Sequence, residues 1–193
     1  MGTVIFDISM SLDGFIAASG MTPDVGMGEG GEALHDWAFA GDERDREMLE
    51  QAGARLGAVI AGRRTYDNSI KWWDADGPTG PARIPLFVVS HGMPDHVPAG
   101  GVYTFVPDTR SALEAARATA GDKDVGIMGG ADIARQYLHD GLVDEISIHL
   151  VPVLFGSGTP LFGDSWIEGH VRLEAPEVIA TDAATHLRYR VVK

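Results

Sequence analysis

The sequence contains no cysteine. Disulfides, thiolate nucleophiles and zinc–thiolate sites are therefore excluded, and a reducing, cytoplasmic setting is expected. No run of about 18 apolar residues occurs, which excludes a membrane-spanning helix. Basic residues are scarce: 15 Lys and Arg stand against 28 Asp and Glu, a formal net charge of −13. That surplus repels phosphate backbones and anionic bilayers, so neither nucleic acid nor membrane is an expected partner. The His residues show no HExxH or paired-ligand spacing, so no metal is expected. No GxSxG elbow is present, which speaks against a hydrolase. The opening stretch MGTVIFDISMSLDGF has no basic n-region and carries Asp7 inside its apolar run. It reads as a first strand, not a signal peptide.

What is present patterns as α/β. Apolar residues make up 45% of 193 positions, enough for one core, and residues 1–193 read as a single domain. Strands are expected at 4–10, 58–61, 85–89, 102–106, 125–128 and 144–151, with a closing antiparallel pair at 171–180 and 185–192. Helical periodicity spans 32–54 through Leu34, Trp37, Ala38, Met48, Leu49 and Ala52. Gly41-Asp42 interrupts it, Asp42 caps the second piece, and Gly53 and Gly57 suit its end. Further helices are expected from Asp108 or Thr109 to about residue 119, and over 131–140 before Gly141. The irregular stretches, 19–31 and 72–83, are short enough for surface loops. Strands alternating with helices imply a three-layer α/β/α fold. Its sheet is mixed but mostly parallel, with an antiparallel C-terminal edge. Ligands of such sheets bind beyond the carboxyl ends of the strands.

Three of those strand ends carry anion-binding chemistry. Gly62-Arg63-Arg64-Thr65, read with one helical turn after it, follows a short strand with two guanidinium forks and a hydroxyl, against the plainer reading of a solvated Arg pair. Ser90-His91 ends the next strand, where a simple turn is the plainer reading. Met128-Gly129-Gly130-Ala131-Asp132-Ile133 joins a strand to a helix whose free N–H groups can cradle a pyrophosphate. The GxGxxG match at 26–31 follows no convincing strand and reads as a loop. Trp37 fits either the core or a pocket wall, and His149 alternates with apolar residues toward solvent. The acidic run 42–50 reads as a solvated helix face. Trp72-Trp73, beside a polar loop, fits a pocket lid or an oligomer contact.

Taken together these motifs resemble the dihydrofolate-reductase-like superfamily, and within it the group of the C-terminal reductase domain of the riboflavin-biosynthesis deaminase/reductase. Met10-Ser11-Leu12-Asp13-Gly14-Phe15-Ile16-Ala17 is similar to that group's MSLDG-x-IA signature. Gly62-Arg63-Arg64-Thr65 is similar to its GR-x-T turn, and Gly129-Gly130-Ala131 to its paired-glycine turn. Asp144-Glu145-Ile146 and the segment Pro152-Val153-Leu154-Phe155-Gly156-Ser157-Gly158 follow in the same order. The resemblance implies an eight-stranded sheet with NADPH across the strand ends. It places Gly62, Arg63, Arg64 and Thr65 on the cofactor phosphates. Arg64, Ser90 or His91 would lie near the 2′-phosphate, and Met128 to Ile133 at the pyrophosphate. Ser9, Ile16 and Ala17 would border the nicotinamide.

The chain departs from the riboflavin enzyme at Asp7, where that family carries a Lys for the substrate's phosphate. An acid there opposes the aminouracil ribosyl-phosphate intermediate, although its reductase remains one alternative. The Trp-and-acid pattern of true dihydrofolate reductases is also absent after Ala17. The resemblance thus implies a stand-alone NADPH-dependent reductase of a small heterocyclic or conjugated substrate. Asp13 and Asp36 are the candidate proton donors, and Phe15, Leu34 and Trp37 the candidate substrate wall. A non-catalytic nucleotide- or small-molecule-binding protein is the alternative of a different class. A homodimer is expected by analogy with other α/β enzymes.

Overall fold

The computed structural model describes residues 2–163 and 169–193. In chain order its elements are β1 (Val4–Ser11), β2 (Phe15–Ala18), a 3-10 turn (Gly31–His35), α1 (Asp36–Ala40), α2 (Glu43–Arg55), β3 (Leu56–Gly62) and α3 (Arg63–Trp73). A second 3-10 turn (Gly80–Ala82), β4 (Leu86–Val89), β5 (Tyr103–Val106), α4 (Thr109–Ala120), β6 (Asp124–Met128) and α5 (Ala131–His139) follow. The chain closes with β7 (Glu145–Val151), β8 (Gly158–Pro160), β9 (Glu177–Ala180) and β10 (Thr185–Arg190). The main sheet has eight strands in the order β5-β4-β3-β6-β1-β7-β10-β9. All pairs from β5 to β7 are parallel, and β10 and β9 add antiparallel. This is the dihydrofolate-reductase-like α/β fold.

Strand alternation divides the sheet's two faces. Val4 and Phe6 of β1 turn toward α4 and α5, where they join Ile60, Ile127, Ile146 and Ile148 in the largest apolar cluster. On the other face α3 lays Tyr66, Ile70 and Trp73, an i, i+4, i+7 stripe, over β3 and β4. Leu34, Trp37 and Met48 pack against Val151 and Ala184 at the opposite side of the same face. Between these two coverings the strip of β1 and β6 has no helix over it among the described residues. Asp7, Ser9 and Gly126 face the cleft there, with Met128 at its edge against the α3 cluster.

Several expectations needed correction. The Arg63–Trp73 segment is a full helix, not the single turn its many polar residues suggest. Gly53 lies inside α2 and Gly57 inside β3, so neither ends the helix; the chain passes directly into the strand at Leu56. The small β2–β8 sheet was not expected. The 171–180 strand shortens to Glu177–Ala180, with an isolated Leu173–Val191 bridge before it. His149 is buried, because β7 is covered on both faces. Asp45, placed on a solvated face by sequence, is fully buried.

Candidate active site

The register of the parallel strands brings the turns together. Ala61 pairs with Met128, so the chain leaves β3 and β6 at the same level, and Gly62 pairs with Val89 just before Ser90. Gly129 adopts φ 77°, and a side chain there would run into Thr65. The two turns are therefore in direct contact. Helices α3 and α5 begin at this corner, with Gly62 and Gly130 as N-caps and no side-chain cap at either. By contrast, Asp42 and Asp108 cap α2 and α4. Two uncapped positive helix ends side by side suit a diphosphate.

The arginines divide the work. Arg63 donates from Nε to Asp67 at 2.7 Å, and from a terminal nitrogen to Ser90 Oγ at 3.2 Å and the Gly92 carbonyl at 3.0 Å. Its fork braces α3 against the turn after β4. Arg64 next to it is exposed and lines the cleft, as does His91.

From this corner a cleft of about 1850 Å³ runs over the bare strip of β1 and β6, past Ser9, Ile16, Ala17 and Trp37, toward Glu145 and Arg188. That exceeds the roughly 300–1,000 Å³ of a single-ligand pocket, and suits two ligands side by side. Trp37 is both core and wall: it is buried, lines the cleft, and donates from Nε1 to Ser9 Oγ at 2.9 Å.

A row of polar groups, buried except at Asp7, meets the cleft floor. Asp7 pairs with Ser147 across β1–β7, Ser9 with His149, and His149 with His186 across β7–β10, all on one face. His149 Nε2 stands 3.3 Å from both Asp7 oxygens, and its Nδ1 lies 2.8 Å from Nδ1 of His186. His186 Nε2 lies 2.9 Å from Asp45 Oδ1. Trp37 covers His149 at 4.1 Å between ring centroids. Burial raises the Asp7 carboxyl, but the His149 imidazole and hydrogen bonds from His149 and Ser147 outweigh it and leave it below the usual carboxylate range. Burial pushes His186 down, against the opposing pull of Asp45. Sequence reasoning missed this row. Its only signal was a His in each of two neighbouring strands.

Residues 2–187 match the RibD C-terminal domain. The chain belongs to that family. A relative, the uncharacterized protein YwjB of Bacillus subtilis (strain 168), is 28% identical over 184 residues, covering 95% of each chain. A solved protein of Shewanella sp. PV-4 named for riboflavin biosynthesis matches with a TM-score of 0.72 at 25% identity, covering 100% of both chains. The dihydrofolate reductase of Enterococcus faecalis complexed with NADP(H) matches with a TM-score of 0.60 at 13% identity. It covers 100% of this chain and 98% of its own, and shows the shared fold.

Within this RibD C-terminal domain most of the residues singled out by sequence line one cleft: Ser9, Ile16, Ala17, Gly62, Arg63, Arg64, Thr65, His91, Met128 and the 129–133 turn. Ser90 stands behind Arg63 as its partner. Four residues lie elsewhere. Asp13 accepts from Ser11 Oγ at 2.6 Å and from the Gly156 N–H at 2.7 Å, and so ties down the 155–156 turn. Asp36 is exposed in the first turn of α1, outside the cleft lining. Leu34 is fully buried beneath Trp37, and Phe15 pairs with Pro160 in the small sheet. The acid nearest the cleft floor is Asp7, which the sequence presented only as a departure from the family. Among the described residues no His, Asp and Glu cluster converges as a metal site, and no helix is long and apolar enough to cross a membrane.

Proposed function

We propose that this chain is an NADPH-dependent reductase acting on a small heterocyclic or conjugated substrate. The observation that carries the reading is the contact between the Gly62–Thr65 and Gly129–Gly130 turns, with two uncapped helix N-termini and exposed Arg64 at one end of a long cleft. The backbone N–H groups of Gly130 and the first turn of α5 would hold the pyrophosphate. Arg64 and His91 would meet the 2′-phosphate end. Ser9, Ile16, Ala17 and Trp37 would shield the reacting ring from water and orient it. When bound, NADPH supplies a hydride. Asp7 on the floor opposes a substrate phosphate there, which favours an uncharged heterocycle over the riboflavin-pathway intermediate.

The test is direct binding. NADPH should bind more tightly than NADH, because only NADPH has the 2′-phosphate. Arg64→Ala should remove most of that preference, roughly a 10- to 100-fold loss for NADPH from one charge-assisted contact of ~1.5–3 kcal/mol. Calorimetry showing equal loss for both dinucleotides would remove Arg64 from this role. Absence of binding by the unaltered protein would remove the reductase reading.

A further inference from the structure

Asp7, His149, His186 and Asp45 form an unbroken chain from the cleft floor to the buried side of α2, and the geometry fixes how many protons it holds. The two Nδ1 atoms face each other at 2.8 Å, a distance that requires one proton between them. The two Nε2 atoms each face a carboxylate, at 3.3 and 2.9 Å. Satisfying all three contacts takes three N–H protons on two rings, one more than two neutral imidazoles carry. With only two protons, a lone pair would be set against another lone pair or a carboxylate in a buried site, which is costly. Asp45 is a pure acceptor at the far end. Its Oδ1 takes His186 and the Thr181 hydroxyl, and its Oδ2 takes the Asp42 N–H. In every arrangement that satisfies the three contacts, His149 Nε2 carries a hydrogen toward Asp7, at the cleft end of the row. The Asp7 side chain is 47% exposed against 6% for His149, so the chain opens to the cleft chiefly at Asp7.

We propose that this chain is the proton store of the reaction: Asp7 is the catalytic acid, passing the proton of His149 to the nitrogen of a C=N substrate. The inference rests on the reductase reading and deepens it. The C=N carbon receives hydride from the NADPH co-substrate, and the π pair moves onto nitrogen. That nitrogen takes a proton from the Asp7 carboxyl, which has taken it from His149 Nε2. Products are the CH–NH compound and NADP⁺. Asp7, open to the cleft, reloads the ring from solvent. His149, His186 and Asp45 are positioning residues. The substrate class is a cyclic C=N compound whose nitrogen is weakly basic, since a strongly basic one is protonated in water before it binds. Other charged or titratable groups around the chain are His35, whose imidazole feels His149, Asp36 beside it, and Arg188, which faces Asp7 and pairs with Glu145.

The experiment has two parts. In the full chain labelled with ¹⁵N-histidine, a pH titration by NMR should show His149 and His186 losing one shared proton in a single coupled step. Asp7→Asn should move that step to lower pH by removing a neighbouring negative charge. With NADPH and quinoxalin-2-one, a weakly basic cyclic C=N probe, turnover should fall at high pH along the same step. Asp7→Asn should lose roughly 10²–10⁴-fold in kcat, the usual worth of a general acid, with NADPH affinity unchanged. Asp7→Glu should recover part of the rate, and His149→Gln should abolish the high-pH limb. Independent titration of the two rings would overturn the inference. So would wild-type kcat in Asp7→Asn, or an NADPH-binding protein that leaves quinoxalin-2-one unreduced. Failure to bind NADPH, in contrast, would take the reductase reading down with it.

Discussion

At the scale of the residue, position in three dimensions decides what a carboxylate does. Asp13 sits in a turn two residues after β1, yet its oxygens hold a loop far along the chain, at Phe155 and Gly156. The Ser11 hydroxyl and those two backbone N–H groups keep its carboxyl below the usual range. A lowered folded pKa means that this contribution is present above the ordinary carboxylate value and is lost as pH falls through the folded one. The melting temperature should therefore drop on acidification below about pH 4, and Asp13→Asn should show a shallower drop over the same interval. A wild-type slope in that variant would show the hydrogen bonds to be idle. Asp7, six residues earlier within β1, accepts from an imidazole instead. No sequence pattern separates these two aspartates, because the partners come from β7 and from the segment after it.

At the scale of the element, local rules were read well at helix starts, and poorly at the end of α2 and where they concern faces. Asp42 was expected as a cap, and it closes a full capping box with Asp45. Asp42→Ala should cost about 0.5–2 kcal/mol in denaturant unfolding. The His186–Asp45 bond uses a different residue, so the coupled titration of the two imidazoles should survive; its loss would show that the cap, not the packing, holds Asp45 in place. Asp45 itself was misjudged, since an acidic run on a helix says nothing about which turn faces the sheet. Helix α3 was underestimated because seven of its positions are polar, and only Tyr66, Ile70 and Trp73 mark its buried stripe. His149 was placed at solvent by alternation, a rule that fails for a strand covered on both faces.

At the scale of the whole molecule, the cleft exists because two groups of helices cover the ends of one sheet face and leave the middle open. A ligand that spans it would add contacts between α3, α5 and the Trp37 region. NADPH at a hundredfold excess over its Kd should add ~2.7 kcal/mol by mass action. For a domain of this size that corresponds to a rise of roughly 5–10 °C in Tm. NADH at the same concentration should give a smaller rise. An unchanged Tm under saturating NADPH would mean that the corner formed by Thr65 and Gly129 holds no dinucleotide.

The sequence by itself determined most strands of the main sheet, the glycine turns between strand and helix, the Asp42 and Asp108 helix caps and the family. These depend on neighbours within a few residues, on composition, or on several motifs in a fixed order. Only the tertiary structure decided that Thr65 touches Gly129, that Arg63 is spent on Asp67, Ser90 and Gly92 while Arg64 stands exposed at the cleft, and that two imidazoles meet between two carboxylates. Those facts follow from sheet order and register. Placing β6 between β3 and β1, and β10 beside β7, sets the distance between residues up to about 140 positions apart, which no local preference records.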